Sequence, residues 1–248
     1  MAPAQRLRPA GVTVDLDARS NAVYLVEANG IDIGYKLIGT GQPLLLIMGL
    51  GGTMDDWPWE VVEALAGKYQ LIIPDNRGMG HSTTNAEPFT CRLCAADMVG
   101  LMDALALERT HVLGYSIGSV IVQQMLLEHP ERISRAVVHA TTINGARVAE
   151  GLQRINTDNP TIRRQLAAMA DWRTPMDQVP GITNQVLLVV GTADEVVGLE
   201  NSQQLALALP GAWLIPFKGG THFLMRESPA AFAGVVEAFL ENDTSVQP

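Results

Sequence analysis

The chain has 248 residues, 47% of them hydrophobic, enough to bury one sizeable core without forcing a second domain. Against 26 Asp and Glu stand 17 Lys and Arg, and the net charge of −9 offers no attraction to nucleic acid or an anionic membrane. No apolar run approaches the roughly 20 residues that a bilayer span needs.

Residues 1–21 hold Pro3, Pro9 and three arginines but no apolar core of the kind a signal peptide carries. They read as a flexible lead-in, and a cytoplasmic location is the expectation. Ala22–Glu27 and Ile31–Leu37 are short alternating runs separated by Asn29-Gly30, a strong hairpin signal. The sheet is therefore expected to start antiparallel. Pro43–Met48 is a continuous apolar run, as a strand covered on both faces requires. Gly49-Leu50-Gly51-Gly52 follows at once, and Trp57-Pro58-Trp59 opens a helix to about Ala66. Gln70–Pro74 is the next strand and ends in the polar turn Asp75–Ser82.

Thr90–Leu105 reads as a helix capped by Thr90. It contains both cysteines, Cys91 and Cys94. Their C-x-x-C spacing lacks a second Cys or Cys/His pair to complete four metal ligands, so they are read as structural thiols. Thr110–Gly114 is a strand, and the helix after Ser116 runs to about His129, stopped by Pro130. Ser134–Ala140 is a further strand. From Thr141 to Asn184 the rhythm breaks. Two helical pieces, Ala146–Ile155 and Pro160–Ala170, carry apolar faces from Leu152, Ile155, Ile162, Leu166, Met169 and Trp172. Rhythm returns with Gln185–Val190, Glu200–Leu209, Ala212–Phe217 and Pro229–Leu240, the last with Ser228 as N-cap and Pro229 at the first helical position. Residues 241–248 read as a frayed tail. Strands alternating with helices predict an α/β fold: a mostly parallel sheet of about eight strands, antiparallel in its first hairpin, with helices on both faces and a short helical cap at about 141–184. Sites in such sheets form at the carboxyl ends of the strands.

The chemistry centres on Gly114-Tyr115-Ser116-Ile117-Gly118, a G-x-S-x-G between an apolar run and an amphipathic one. A serine at such a strand-to-helix turn sits in a strained backbone with its hydroxyl above the sheet edge. The glycines allow the close approach the turn demands, and the new helix aims free N–H groups at the serine oxygen. An ordinary strand-to-helix turn is the alternative reading of three fixed positions.

A serine hydroxyl is a poor nucleophile without a base. Of five histidines, His111 starts a strand at the wrong end of the sheet, His129 closes a helix, and His139 lies within a buried run. His81 follows a strand end and stays open. His222, in Gly219-Gly220-Thr221-His222-Phe223 just past the last strand, fits the order nucleophile, acid, histidine and is preferred. The acid that orients it is Asp194, in the loop after the strand ending at Val190, with Glu195 as local rival. The oxyanion of a tetrahedral intermediate needs N–H donors. Ile117, next after the serine, supplies one. Leu50 supplies the other, with Gly51 as fallback.

With those residues in place, the chain resembles the α/β-hydrolase fold superfamily over about Ala22 to Leu240. The resemblance rests on Gly114–Gly118, on Asp75–Ser82 (similar to the family's D-x-R-G-x-G-x-S), on Gly191-Thr192-Ala193-Asp194 and on Gly220-Thr221-His222. It implies a single such domain over 22–240 and a structural role for the Asp75–Ser82 turn, so Arg77 and His81 are not counted as catalytic. Two departures stand out. Many relatives have His-Gly where this chain has Met48-Gly49, which removes the histidine's hydrogen bonds to the loop. The insertion, about forty residues, is shorter than the cap of many relatives.

The expected activity is hydrolysis of a small to medium apolar carboxylic ester through an acyl-enzyme, with no metal or organic cofactor. The expected partner is a small-molecule substrate, with monomer or homodimer left open. Gly49, Gly51, Tyr115, Trp57 and Phe223 flank the site loops and are the candidate substrate contacts. Trp59 is a further aromatic beside them, and each aromatic serves equally as core. Haloalkane dehalogenases and epoxide hydrolases on this fold use an Asp nucleophile, which Ser116 argues against. Lactonases, carbon–carbon bond hydrolases and cofactor-free perhydrolases keep the serine and stay open, as does a receptor-like protein with little turnover.

Overall fold

Asn29 and Gly30 both adopt positive φ (49° and 75°), the backbone of a tight two-residue hairpin turn. They join β2 (Tyr24–Ala28) to β3 (Ile31–Ile38), antiparallel from Ala28↔Ile31 to Tyr24↔Tyr35. The structure, a computed structural model, describes residues 5–6, 22–152 and 157–242. Most of the expected lead-in, the end of the tail from 243 and Ile155 of the first cap helix lie outside the described residues.

Beyond the hairpin the strands are β4 (Gln42–Ile47), β5 (Tyr69–Pro74), β6 (Thr110–Tyr115), β7 (Ile133–His139), β8 (Gln185–Gly191) and β9 (Trp213–Phe217). A two-residue strand, β1 (Gln5–Arg6), pairs parallel to β2 within the stretch read as lead-in. The sheet order among the described residues is β1-β2-β3-β5-β4-β6-β7-β8-β9. β3 runs antiparallel to both its neighbours, and every pair from β5 to β9 is parallel.

The strands alternate their side chains between two cores, as the two-residue period requires. On one face Leu44, Leu46, Leu113, Leu187 and Val189 pack with Val61 and Leu65 of α1 (Trp59–Ala66) and with Phe232 and Val236 of α8 (Pro229–Glu241). On the other, Leu45, Ile47, Val112, Val138 and Leu188 meet α2 (Cys91–Ala104), α3 (Ile117–Glu128) and α6 (Leu199–Ala208). This double coverage is why the central strands read as unbroken apolar runs. No helix among the described residues is long and apolar enough to cross a membrane.

Two helices rise from the 141–184 segment: α4 (Gly145–Leu152) and α5 (Pro160–Asp171). Asn159 caps α5, its Oδ1 accepting the Thr161 N–H at 2.9 Å, with Pro160 at the first position. The helices touch so closely at Gly145 that a Cβ there would lie 1.8 Å from the Met169 carbonyl oxygen. Buried Gln123 of α3 ties the base of this segment down. Its amide donates to Thr141 Oγ1 (2.6 Å) and the Thr142 carbonyl (3.0 Å), and its oxygen accepts from Thr174 Oγ1 (2.8 Å).

One cap differs from expectation. Thr90 accepts the Leu93 N–H, but Ser228, though placed at the N-cap of α8, makes no side-chain cap bond. A short helix, α7 (Leu224–Glu227), precedes it directly and fixes its backbone at φ −141°, ψ 59°.

Candidate active site

The turn from β6 to α3 bends at Ser116, whose backbone stands at φ 54°, ψ −118°. That region is costly for a residue with a Cβ, by about 1–3 kcal/mol, and survives only where its surroundings impose it. Here they do. A Cβ on Gly114 would lie 2.3 Å from the Gly118 carbonyl oxygen, and one on Gly118 would lie 2.0 Å from that of Ile47. The Ser116 N–H is held by the His139 carbonyl at 3.0 Å.

Two loops bring partners to the serine. One leaves β8 and carries Asp194. The other leaves β9 and carries His222. They are locked at a glycine pair, since a Cβ on Gly191 would meet the Gly220 carbonyl oxygen at 2.1 Å, and the Ala193 N–H donates to that same oxygen at 2.9 Å. His222 Nε2 lies 3.1 Å from Ser116 Oγ, and His222 Nδ1 lies 2.9 Å from Asp194 Oδ2. The other Asp194 oxygen accepts the Val196 and Val197 N–H groups at 2.9 and 3.0 Å. Burial pushes the Asp194 carboxyl upward, but the His222 hydrogen bond and charge and the two N–H groups outweigh it and hold the carboxyl below its ordinary range. With Asp194 ionised, the proton of that contact sits on His222 Nδ1, and Nε2 is left to accept from Ser116.

The rivals lie elsewhere. Glu195 is exposed. The His81 N–H donates to Asp75 Oδ2 at 2.7 Å, within the polar turn. His111 pairs with Gln42 at the start of β6, and His129 caps the end of α3. His139 is fully buried behind Tyr115, ring against ring at 5.2 Å, and burial lowers it to about 4.

The loop after β4 is held by residues that the motifs do not announce. The Asn76 amide donates to the Met48 carbonyl at 2.9 Å. The Gly51 N–H donates to Gln165 Oε1 at 2.8 Å, and that of Gly52 to the Gly49 carbonyl at 3.3 Å. Gly51 is therefore not a free donor. The Leu50 and Ile117 N–H groups have no acceptor among the described residues.

Ser116 and His222 open into a cavity of about 320 Å³. Gly49, Leu50, Gly51, Tyr115 and Phe223 line it. Leu152, Val196, Asp56 and Arg226 line it as well, with no motif to mark them. Trp57 does not. Its side chain is 5% exposed and packs into the core on the α1 side. Trp59 sits on α1, outside the lining. Tyr115 lies 5.3 Å from the His222 ring, and Phe223 meets that ring edge-on at 5.7 Å. Cys91 and Cys94 are buried free thiols away from the cavity, and burial raises Cys91 to about 12.

The chain is similar to known proteins. A family profile described as alpha/beta hydrolase fold matches residues 42–170. Over 112 residues the chain is 40% identical to the putative non-heme bromoperoxidase BpoC of Mycobacterium tuberculosis, covering 45% of this chain and 42% of that protein. The chain thus spans less than half the length of that relative. It is 28% identical over 249 residues to the putative carbamate hydrolase RutD of a Caulobacter species, covering 82% of this chain and 92% of that one. The solved structure of an alpha/beta hydrolase fold protein from Chitinophaga pinensis matches at 24% identity with a TM-score of 0.82, over 92% of this chain and 100% of that chain, a likeness of fold. The profile takes in more than half of the 248 residues and the whole Gly114–Gly118 turn, and the chain belongs to the alpha/beta hydrolase fold family.

Proposed function

We propose that the protein is a serine hydrolase that cleaves a small to medium carboxylic ester through an acyl-enzyme. The observation that carries this reading is the unbroken line Ser116 Oγ–His222 Nε2–His222 Nδ1–Asp194 Oδ2, at 3.1 and 2.9 Å. Ser116 Oγ attacks the acyl carbon as its proton passes to His222 Nε2, and the carbonyl oxygen takes up the electron pair. The Leu50 and Ile117 N–H groups are the donors for that oxyanion. When the tetrahedral centre collapses, the ester C–O bond breaks and the alcohol leaves with the proton from His222. Water then gives a proton to His222 and attacks the acyl-enzyme. The carboxylic acid departs as Ser116 regains its proton.

Leu50, Leu152, Val196 and Phe223 form an apolar wall for the chain of the substrate. A carbamate, which the name of one relative mentions, presents the same electrophilic acyl carbon.

The test is intact and peptide mass spectrometry after exposure to a small fluorophosphonate, with Ser116→Ala as control. A single adduct on Ser116, absent from the variant, is the expected result. A folded protein that takes no adduct would refute the assignment and favour a receptor-like role.

A further inference from the structure

Arg226 is the cation in the wall of the Ser116 cavity. It stands at the rim, four residues past His222, on the short helix α7. One guanidinium N–H donates to the Asp56 main-chain carbonyl, which fixes the group in place. Among the described residues it forms no ion pair. The carboxylates of Asp56, whose carbonyl it meets, and of Glu227, the next residue, are engaged elsewhere. Asp56 Oδ2 accepts from the Thr53 N–H (2.8 Å) and hydroxyl (3.0 Å), closing the cap of its own turn. Both Glu227 oxygens accept from Thr221, one from its N–H at 3.0 Å and the other from its hydroxyl. The remaining guanidinium N–H groups are therefore available to a ligand.

The same cavity holds a second polar group. The Tyr115 hydroxyl, on the same cavity, has no hydrogen-bond partner among the described residues. Arg226 and Tyr115 line the same cavity, and burial raises the Tyr115 phenol, with the Asp194 charge adding to the rise and the Arg226 charge opposing it. The rest of the wall is largely apolar. One fixed cation and one free hydroxyl over an apolar floor form a recognition pattern for one charged end of an otherwise apolar molecule.

Resting on the serine hydrolase reading above, we infer that the ester substrate carries a free carboxylate, held at the cavity rim by the Arg226 guanidinium with the Tyr115 hydroxyl beside it. A carboxylate suits the site better than a phosphate. A single cation, with Asp56 and Glu227 close by, balances one negative charge and leaves a dianion undercompensated. The guanidinium edge also matches the planar carboxylate. The overall charge of −9 repels anions at long range, so the preference must come from this local contact and not from steering.

The experiment compares monoethyl glutarate with the neutral ester ethyl pentanoate, in wild type, Arg226→Ala and Arg226→Lys. The readout is the ratio of kcat/KM for the anionic over the neutral ester. Wild type favours the anionic ester, and added salt shrinks the preference. Arg226→Ala lowers the ratio about tenfold, in line with loss of a charged hydrogen bond, mainly through KM for the anionic ester. Arg226→Lys keeps part of it. A ratio that is the same in wild type and Arg226→Ala overturns the inference. Titration calorimetry of monoethyl glutarate against Ser116→Ala and Ser116→Ala/Arg226→Ala probes the same contact without turnover. Weaker binding to the double variant supports the contact, and equal binding rejects it. The fluorophosphonate adduct judges the hydrolase reading separately.

Discussion

The side-chain oxygen of Gln165, on α5, accepts the Gly51 N–H at 2.8 Å, across 114 positions of sequence. Gln165 is 1% exposed, and Gly51 stands at φ +69° against the Ile162 side chain. The loop that bears Leu50 is thus clamped from above by the 141–184 segment and from below by Asn76. Gln165 is a positioning residue on this view, acting through the loop. Gln165→Ala strands a half-buried N–H, a loss of about 1 kcal/mol, the low end for an unsatisfied donor. The expected outcome is a kcat about fivefold lower with KM little changed, by the same energy. Gln165→Glu keeps an acceptor and most of the rate. Steady-state kinetics on a cleaved ester, paired with melting curves, read both. An unchanged kcat in Gln165→Ala would show that the segment does not hold the loop.

Asp194→Asn separates geometry from charge. An Asn at 194 still offers a carbonyl oxygen to the Val196 and Val197 N–H groups, so the loop keeps its shape. Its NH₂ then faces His222 Nδ1, which must become the acceptor. The ring proton moves to Nε2, the atom that should accept from Ser116. The expected loss in kcat is about 10³–10⁴-fold, the size seen when a triad histidine is held in the wrong tautomer. Ser116→Ala loses at least as much. Circular dichroism confirms the fold, and a near-normal rate in either variant counts against the assigned roles.

Much of this was legible in the sequence because it follows from local rules. Asn29-Gly30 specifies its turn by φ alone. The Gly114–Gly118 spacing specifies the elbow, and Gly191 and Gly220 sit where two loops touch backbone to backbone. Asp194 and His222 follow from where the strands end. Gln165, Asn76, Val196 and Arg226 were not legible, because each acts through a partner that only tertiary packing supplies. Asn76 was hidden inside a turn matched for its flanking Asp and Arg. It secures the Met48 carbonyl at the start of the loop that bears Leu50. Trp57 misled for the converse reason. Adjacency to a site loop says nothing about which way a ring points, and here it points into the core.

Two buried histidines set an acid limit on stability. Burial lowers both His111 and His139 from 6.5 to about 4. An unfolded chain binds a proton at each site near pH 6.5, and the native chain binds none until about pH 4. Their contribution is therefore complete above about pH 6.5 and is lost as pH falls towards 4, up to about 3 kcal/mol per site. Urea unfolding between pH 7 and 4.5 should show a falling midpoint. Replacing His111, which sits far from Ser116, by Gln should flatten that fall. A midpoint with the same pH slope in wild type and His111→Gln would exclude the histidine as its source.

The Asp75–Ser82 turn rests on a buried ion pair whose loss should reach the site. Arg77 Nε and Nη2 donate to the two Asp97 oxygens, each at 2.6 Å, with both side chains almost wholly enclosed. Asn29 adds a bond to Asp97 at 2.7 Å, which ties the first hairpin to the same centre. Asp97→Ala leaves a guanidinium buried without its charge partner and is expected to cost about 3–5 kcal/mol. Arg77→Met with Asp97→Leu removes both charges and keeps apolar bulk, so it should recover much of that loss. The functional consequence runs through Asn76, the neighbour of Arg77 that holds Met48 and with it the loop bearing Leu50. Asp97→Ala should therefore slow fluorophosphonate labelling of Ser116 even at temperatures where the protein remains folded. Denaturant melts and labelling rates on the single and double variants check both halves. A variant that loses stability but labels at the wild-type rate would confine the pair to a purely structural role.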